Sequence, residues 1–305
     1  HAGPNPNTGG DYFEWSNRTD RHNMSSGIYN ITPFPINETT TSYTIKTDEY
    51  PLGYTYNIGT KYYVDGLIGN STNNGLSITA PKKTIAQAIT ASGTGNKTVI
   101  VRGAYGGFDG VYNEYFSLKS GVNNTDRWII VGYNQERPIL NYSDTLQDSV
   151  VGTGAVQNAT IQRFQIMNNS RQGIFLNADD LYINVIDVYL LGNNKWDYIL
   201  NKSNGDGNMY LFKANNTWVY HVTSERTDGH GIKVGDGASF NIIEWSVANN
   251  SGWWTGHPDY SNNTNYGSRS AGHPTSCDSA NDGGSAFGYN NTFRYNICAN
   301  SLFYA

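Results

Sequence analysis

The sequence predicts an all-β solenoid, a stack of short parallel coils, and three observations carry that reading. First, the segment FQIMNNS at 164–170 returns as WSVANNS at 245–251 and as YNICANS at 295–301, with weaker copies IDVYLLG at 186–192 and YHVTSER at 220–226. Second, each copy holds apolar residues two apart: Phe164 and Ile166, Ile186 and Val188, Tyr220 and Val222, Trp245 and Val247, Tyr295 and Ile297. That spacing puts both side chains on one face of a strand. Third, the strongest copies end in Asn, which tolerates the left-handed backbone of a tight corner better than any residue but Gly.

The copies begin at 164, 186, 220, 245 and 295. A unit of 22 to 25 residues with two insertions fits these starts, and a unit of that size cannot bury its apolar face alone. A leucine-rich repeat would show fixed Leu spacing and a helical half, and neither occurs. Asn169, Asn250 and Asn300 fall at matching positions, so an amide ladder is expected there. Phe164, Trp245 and Tyr295 are expected in one vertical file.

Ahead of the repeats, Ile85, Ala88 and Ile89 stand at i, i+3 and i+4, with Pro81 before them and Gly93 after. This predicts a short amphipathic helix with a glycine cap, suited to covering the open end of the coils. The surrounding stretch, 61–107, carries Tyr63-Val64-Asp65, Pro81, Thr84-Ile85, Ala88-Ile89, Val99 to Val101 and Gly103-Ala104-Tyr105. On those residues the chain resembles the opening segment of right-handed parallel β-helix proteins of the pectate-lyase-like superfamily. The resemblance spans 61–305 and is strongest over 61–107. It implies a right-handed parallel β-helix with a short N-terminal capping helix, interrupted by insertions near 199–212 and 253–289.

Residues 1–60 lie outside the resemblance. They hold Pro4, Pro6, Pro33, Pro35 and Pro51 and the run TTTSYTIKT at 39–47, which reads as an extended arm containing a strand or two. Such an arm packs along its own coils or docks on a neighbouring copy by strand addition.

Charged residues make up only 15% of the chain and the net charge is −5, a surface without the basic footprint that nucleic acid requires. No run reaches the ~18 apolar residues of a membrane span. The chain opens on His1 with no signal peptide, so it reads as a processed product. Fifteen Asn-x-Ser/Thr acceptors occur, at Asn17, Asn23, Asn30, Asn37, Asn70, Asn96, Asn123, Asn141, Asn158, Asn168, Asn201, Asn215, Asn249, Asn262 and Asn290. Chance placement gives roughly six or seven, so the density points to a secreted, heavily N-glycosylated protein, extracellular or at the cell surface. Cys277 and Cys298 are the only cysteines and are expected to form a disulfide. No spacing suggests zinc.

The resemblance implies a chemistry to look for. Polysaccharide lyases of this fold use Lys or Arg as base beside a sugar carboxylate, often with calcium held by Asp or Glu; related hydrolases gather several Asp. The best match is SERTDGHGIKVGDG at 224–237, where Lys233, His230 and Asp228 are the candidate catalytic residues. The segment TDGHGIKVG resembles the Gly-His-Gly element of β-helix pectin hydrolases, although the accompanying Asp pair is missing. Alternation sends Ile232 and Val234 inward and Lys233 outward. Asp278 and Asp282, near Gly283-Gly284, are candidate calcium ligands, calcium being the one cofactor in view. Trp253-Trp254 with Tyr260 and Tyr266 would suit sugar stacking.

These features favour a structural glycoprotein, a self-assembling subunit of an extracellular filament or coat, partnered by copies of itself through the arm or the stack end. The alternatives are a secreted polysaccharide lyase or related carbohydrate-active enzyme, and a noncatalytic glycan-binding protein with a polysaccharide partner.

Overall fold

A computed structural model describes residues 42–44, 55–57, 59–134, 136–142, 148–152, 154–169, 171–177, 179–193, 196–197, 202–203, 207–227, 230–235, 237–251, 277–278 and 290–299. Three parallel sheets run the length of the described chain. The first stacks Thr60–Val64, Lys97–Val101, Trp128–Gly132, Ala159–Gln162, Asn184–Ile186, Trp218–Tyr220, Ile242–Glu244 and Thr292–Arg294. The second stacks Val111–Tyr112, Ile139–Asn141, Gln165–Met167, Tyr189–Leu191, Thr223–Thr227, Val247–Ser251 and Ile297–Ala299. The third stacks Phe116–Ser117, Val150–Gly152, Ile174–Leu176, Gly207–Phe212, His230–Gly235 and Cys277–Asp278. The chain visits the sheets in rotation, which is the right-handed parallel β-helix that the resemblance implied.

Register fixes the core. One inward file of the first sheet runs Val99, Ile130, Ile161, Val185, Val219, Ile243 and Phe293. Files from the second and third sheets meet it: Ile166 and Leu190 from one, Val150, Ile174, Met209 and Ile232 from the other. Each such aliphatic side chain contributes about 1.5–3 kcal/mol on burial.

The lower end is closed by the helix Ile85–Ser92. Thr84 caps it through a capping box with Gln87, and Gly93, at φ 61°, ends it. Ile85, Ala88 and Ile89 are buried in the core, as their spacing predicts. The Trp128 indole N–H donates to the Ser92 hydroxyl at 3.3 Å, tying the helix to the third first-sheet strand.

From the fourth strand of the first sheet onward, a residue in left-handed backbone stands at each end of the first-sheet strands, and these corner residues stack. Entering the first sheet they are Asn158, Tyr182, Asn216, Phe240 and Asn290, with φ from 54° to 59°. Between the first and second sheets they are Arg163, Asp187, His221, Trp245 and Tyr295, with φ from 52° to 62°. A left-handed residue resets the in-out alternation. Ile186 therefore faces outward on the first sheet while Val188, two residues on, lies in the core; Tyr220 and Val222 behave the same way. Only Phe164 and Ile166 share the inward face as their spacing suggests.

The same corners correct the expected alignment of the copies. Phe164 stands one residue past its corner, in the file of Val188 and Val222, whereas Trp245 and Tyr295 are corners themselves. The segments do stack on one sheet, with a register one residue away from the apparent sequence match.

Left-handed backbone also turns the next N–H out of the ladder, and a side chain from the adjacent coil accepts it. The N–H of Thr217 donates to Asn241 Oδ1 at 2.8 Å, that of Val222 to Ser246 Oγ at 3.2 Å, and that of Ser246 to Asn296 Oδ1 at 2.9 Å. The expected amide ladder begins at Asn169 but continues through different residues. The Asn169 N–H donates to Asn193 Oδ1 at 3.1 Å and the Asn193 N–H to Asn208 Oδ1 at 3.0 Å. The Asn250 side chain and all of Asn300 lie outside the described residues.

Extra length leaves the helix at the turn from the second to the third sheet, between Leu191 and Gly207 and again between Ser251 and Cys277. Gly207–Phe212 is a strand of the third sheet, so it takes up the end of the insertion expected over 199–212. The arm contributes one described strand pair, Ser42–Thr44 antiparallel to Thr55–Asn57. No described helix is long and apolar enough to cross a membrane.

Candidate functional site

The segment singled out by sequence crosses from the second sheet to the third. Its first strand, Thr223–Thr227, carries Ser224 in the inward file of Ile166 and Leu190. A hydroxyl in that file needs partners. It donates to the carbonyl of Gly231 at 3.0 Å and accepts from Asn208 Nδ2 at 2.8 Å. Asn208 Nδ2 also reaches the carbonyl of Glu225 at 3.1 Å, and Asn169 Nδ2 donates to Ser149 Oγ at 2.7 Å. A buried polar column therefore holds this turn through four coils. Asn193 was not legible as a member because the apparent match set Phe164 against Ile186 rather than Val188, and Asn208 because residues 194–206 intervene before it.

Glu225 faces outward on the second sheet and is buried. It accepts the Tyr189 hydroxyl at 2.5 Å, and Arg226 stands 4.0 Å away. Burial, then the bond to Glu225, pushes the Tyr189 hydroxyl above its ordinary pKa. Nearby, Arg137 pairs with Asp187 at 2.6 Å.

His230 opens the third-sheet strand, half-buried, opposite Gly207. A Cβ on Gly207 would come within 2.2 Å of the His230 carbonyl oxygen, so glycine is what lets the two coils close here. Ile232 and Val234 lie in the core, as alternation predicts. Lys233 lies on the opposite face yet is only 2% exposed, its Nζ 4.7 Å from the centroid of the Tyr210 ring. Around it the outer face of the third sheet is aromatic. Phe175 and Tyr210 have centroids 5.8 Å apart, Phe175 and Phe212 6.3 Å, Tyr210 and Phe212 5.7 Å, and Lys213 Nζ is 5.1 Å from the Phe212 ring.

The strand thus does not bring the nominated residues together: His230 shares the parity of Ile232, and Lys233 has the other. Asp228 lies outside the described residues. Asp278 pairs in register with Lys233, while its side chain and all of Asp282 lie outside them, as do Trp253, Trp254, Tyr260 and Tyr266. Among the described residues no three His, Cys, Asp or Glu side chains gather in a way that would hold a metal ion.

The acceptor asparagines divide by environment. Asn70, Asn123 and Asn290 are exposed; Asn96, Asn141, Asn168 and Asn215 are half-buried; Asn158 is buried at 8% exposure. The Asn249 side chain and Asn17, Asn23, Asn30, Asn37, Asn201 and Asn262 lie outside the described residues. Cys277 extends the file of Ile174, Met209 and Ile232, and Cys298 extends that of Leu190, Ser224 and Ala248, with both cysteine side chains outside the described residues.

No protein-family model matches the chain, and no curated protein matches it. Among solved structures a rhamnogalacturonan lyase is similar at 12% identity and a TM-score of 0.45, over 80% of this chain and 63% of that one. The chain therefore spans less than two thirds of that protein's length.

Proposed function

We propose that this is a secreted β-helix glycoprotein whose role is structural, a rigid rod rather than a catalyst. One observation carries the reading: Lys233, the best candidate base, is 2% exposed beside the Tyr210 ring, on the face opposite to that of His230. A general base must come within about 3 Å of the proton it removes, or one water away. A lysine sealed at that exposure does not meet a polymer lying on the surface. Glu225 is likewise engaged, by Tyr189.

The exposed acceptors Asn70, Asn123 and Asn290 support the glycoprotein part of the reading. A Cys277–Cys298 disulfide fits it too, since both positions continue inward files on adjacent sheets of the last two coils. Electron microscopy of the purified chain tests the role: rods or ordered filaments are expected. Incubation with uronate polymers is expected to produce no unsaturated ends, read by ultraviolet absorbance. Robust cleavage abolished by Lys233→Ala overturns the proposal.

A second reading, recognition of an acidic polysaccharide, is favoured by the half-buried rings of Phe175 and Phe212 with the exposed ammonium group of Lys213. Flat rings stack on sugar faces and cations pair with uronates. Calorimetric titration with oligogalacturonate separates the two readings.

A further inference from the structure

Outward positions on a β-helix face water unless something lies over them, and the second sheet behaves that way at Gln165, Met167, Tyr189 and Leu191, all half-buried, though not at Thr223, Glu225 and Val247, which are buried. The first sheet does not. Its outward files carry Ile100, Ile129, Val131, Ile186, Trp218 and Tyr220, each at 2% exposure or less. They form an apolar cluster of their own, separate from the core, against which Ile78, Tyr133, Ile242 and Trp245 pack. Even the polar members of these files, Gln162 and Asn184, are at 1%. The described helix packs on the first two strands from the core side, and no described helix or strand packs over the middle of this face.

A strip of large apolar side chains across at least five coils is more than a soluble surface leaves bare. The chain itself supplies a cover. Residues 1–58 lead directly into Gly59 and Thr60, the start of the first strand of this same sheet. They bring apolar partners along their length, among them Trp15, Tyr29, Phe34, Ile45 and Tyr54. Eight strands at ~4.8 Å spacing make a face roughly 34 Å tall, which about ten extended residues cross. The arm is several times that long.

We propose that residues 1–58 fold back over the outer face of the first sheet of their own chain as an apolar strap, sealing Ile129, Ile186, Trp218 and Tyr220 from water. The inference stands apart from the proposed structural role, because an enzyme or a binding protein would need the same face covered.

The test uses the full chain with a photo-reactive phenylalanine analogue in place of Tyr220, and in a second preparation in place of Ile242, which is half-buried and disturbs packing less. Irradiation of dilute protein is expected to link each probe to a peptide from within 1–58 of the same molecule. Hydroxyl-radical labelling of the unmodified chain is expected to spare Trp218 while marking Tyr295, which is 62% exposed. Links between two chains assign the face to a second copy, and links to 143–147, 194–206 or 252–289 assign it to another segment; either overturns the proposal. So does labelling of Trp218 at the rate of Tyr295, or the absence of any link from both probes.

Discussion

Asn291 Oδ1 accepts both the backbone N–H and the side-chain amide of Asn241, from the adjacent coil, at 3.1 and 3.0 Å. Asn241 repeats the arrangement one coil further on, taking the Thr217 N–H at 2.8 Å and giving its amide to the carbonyl of Ala214 at 3.0 Å. One side chain thus satisfies a donor and an acceptor that the left-handed corner has turned out of the ladder.

Asn241→Ala leaves both groups buried and unpaired, and the expected cost is about 1–3 kcal/mol. Asn241→Asp keeps the acceptor and loses the donor, so its melting temperature should fall between those of the parent and the alanine variant. Thermal unfolding followed by circular dichroism checks the order.

A second load-carrying contact lies on the outer face of the first sheet. Glu244, at 1% exposure, accepts the Trp218 indole N–H at 2.8 Å and pairs with Arg294 at 2.6 Å. Glu244→Ala strands both partners, a loss of about 3–5 kcal/mol for a buried pair and nearer its lower end here, since Arg294 is partly exposed. Adding Arg294→Ala should recover part of that loss. Urea unfolding of the two single variants and the double variant measures the coupling.

Much of this architecture could be read from residues. The capping helix was legible because Ile85, Ala88 and Ile89 keep the helical period between a Pro and a Gly. The coils were legible because strands recur, but their exact register was not. Apparent matches such as Phe164 with Trp245 set a core residue against a corner, since chemistry at both positions is aromatic and only backbone geometry tells them apart. The candidate site was half legible. Alternation put Lys233 on the right face, yet its burial depends on what lies over that face, and local spacing carries no information about that.

Asp180 gives the stability a defined pH dependence. Its carboxylate accepts the N–H of Val156 at 2.9 Å and of Asn177 at 2.7 Å, but burial outweighs these bonds and pushes its pKa from 3.8 up to about 6. A raised acid favours the folded state while protonated. Its contribution is complete below the ordinary aspartate range and is lost as pH rises through about 6, on the order of 3 kcal/mol in all. Asp180→Asn should remove that slope, so the stability difference between variant and parent should change across pH 4–7 in denaturant titrations.

The acceptor asparagines make a further prediction. Asn158 and Asn290 are corner residues in left-handed backbone, which favours Asn at both whatever the glycan status, although Tyr182 and Phe240 take the same corner in other coils. Expressed through a eukaryotic secretory pathway, the chain should carry glycans at Asn70, Asn123 and Asn290, where side chains are exposed. Asn158, at 8% exposure, should be bare in folded protein. Glycopeptide mass spectrometry reads each site separately.

The surplus length between Leu191 and Gly207, and between Ser251 and Cys277, falls at the same crossing, from the second sheet to the third. The hairpin of Trp196–Asp197 and Lys202–Ser203 shows that this crossing already carries an appendage with its own pairing while the strands on either side keep step. A foreign peptide spliced there would ride on the rod without disturbing a single rung, which makes the molecule a ready mast for displaying cargo at a chosen height.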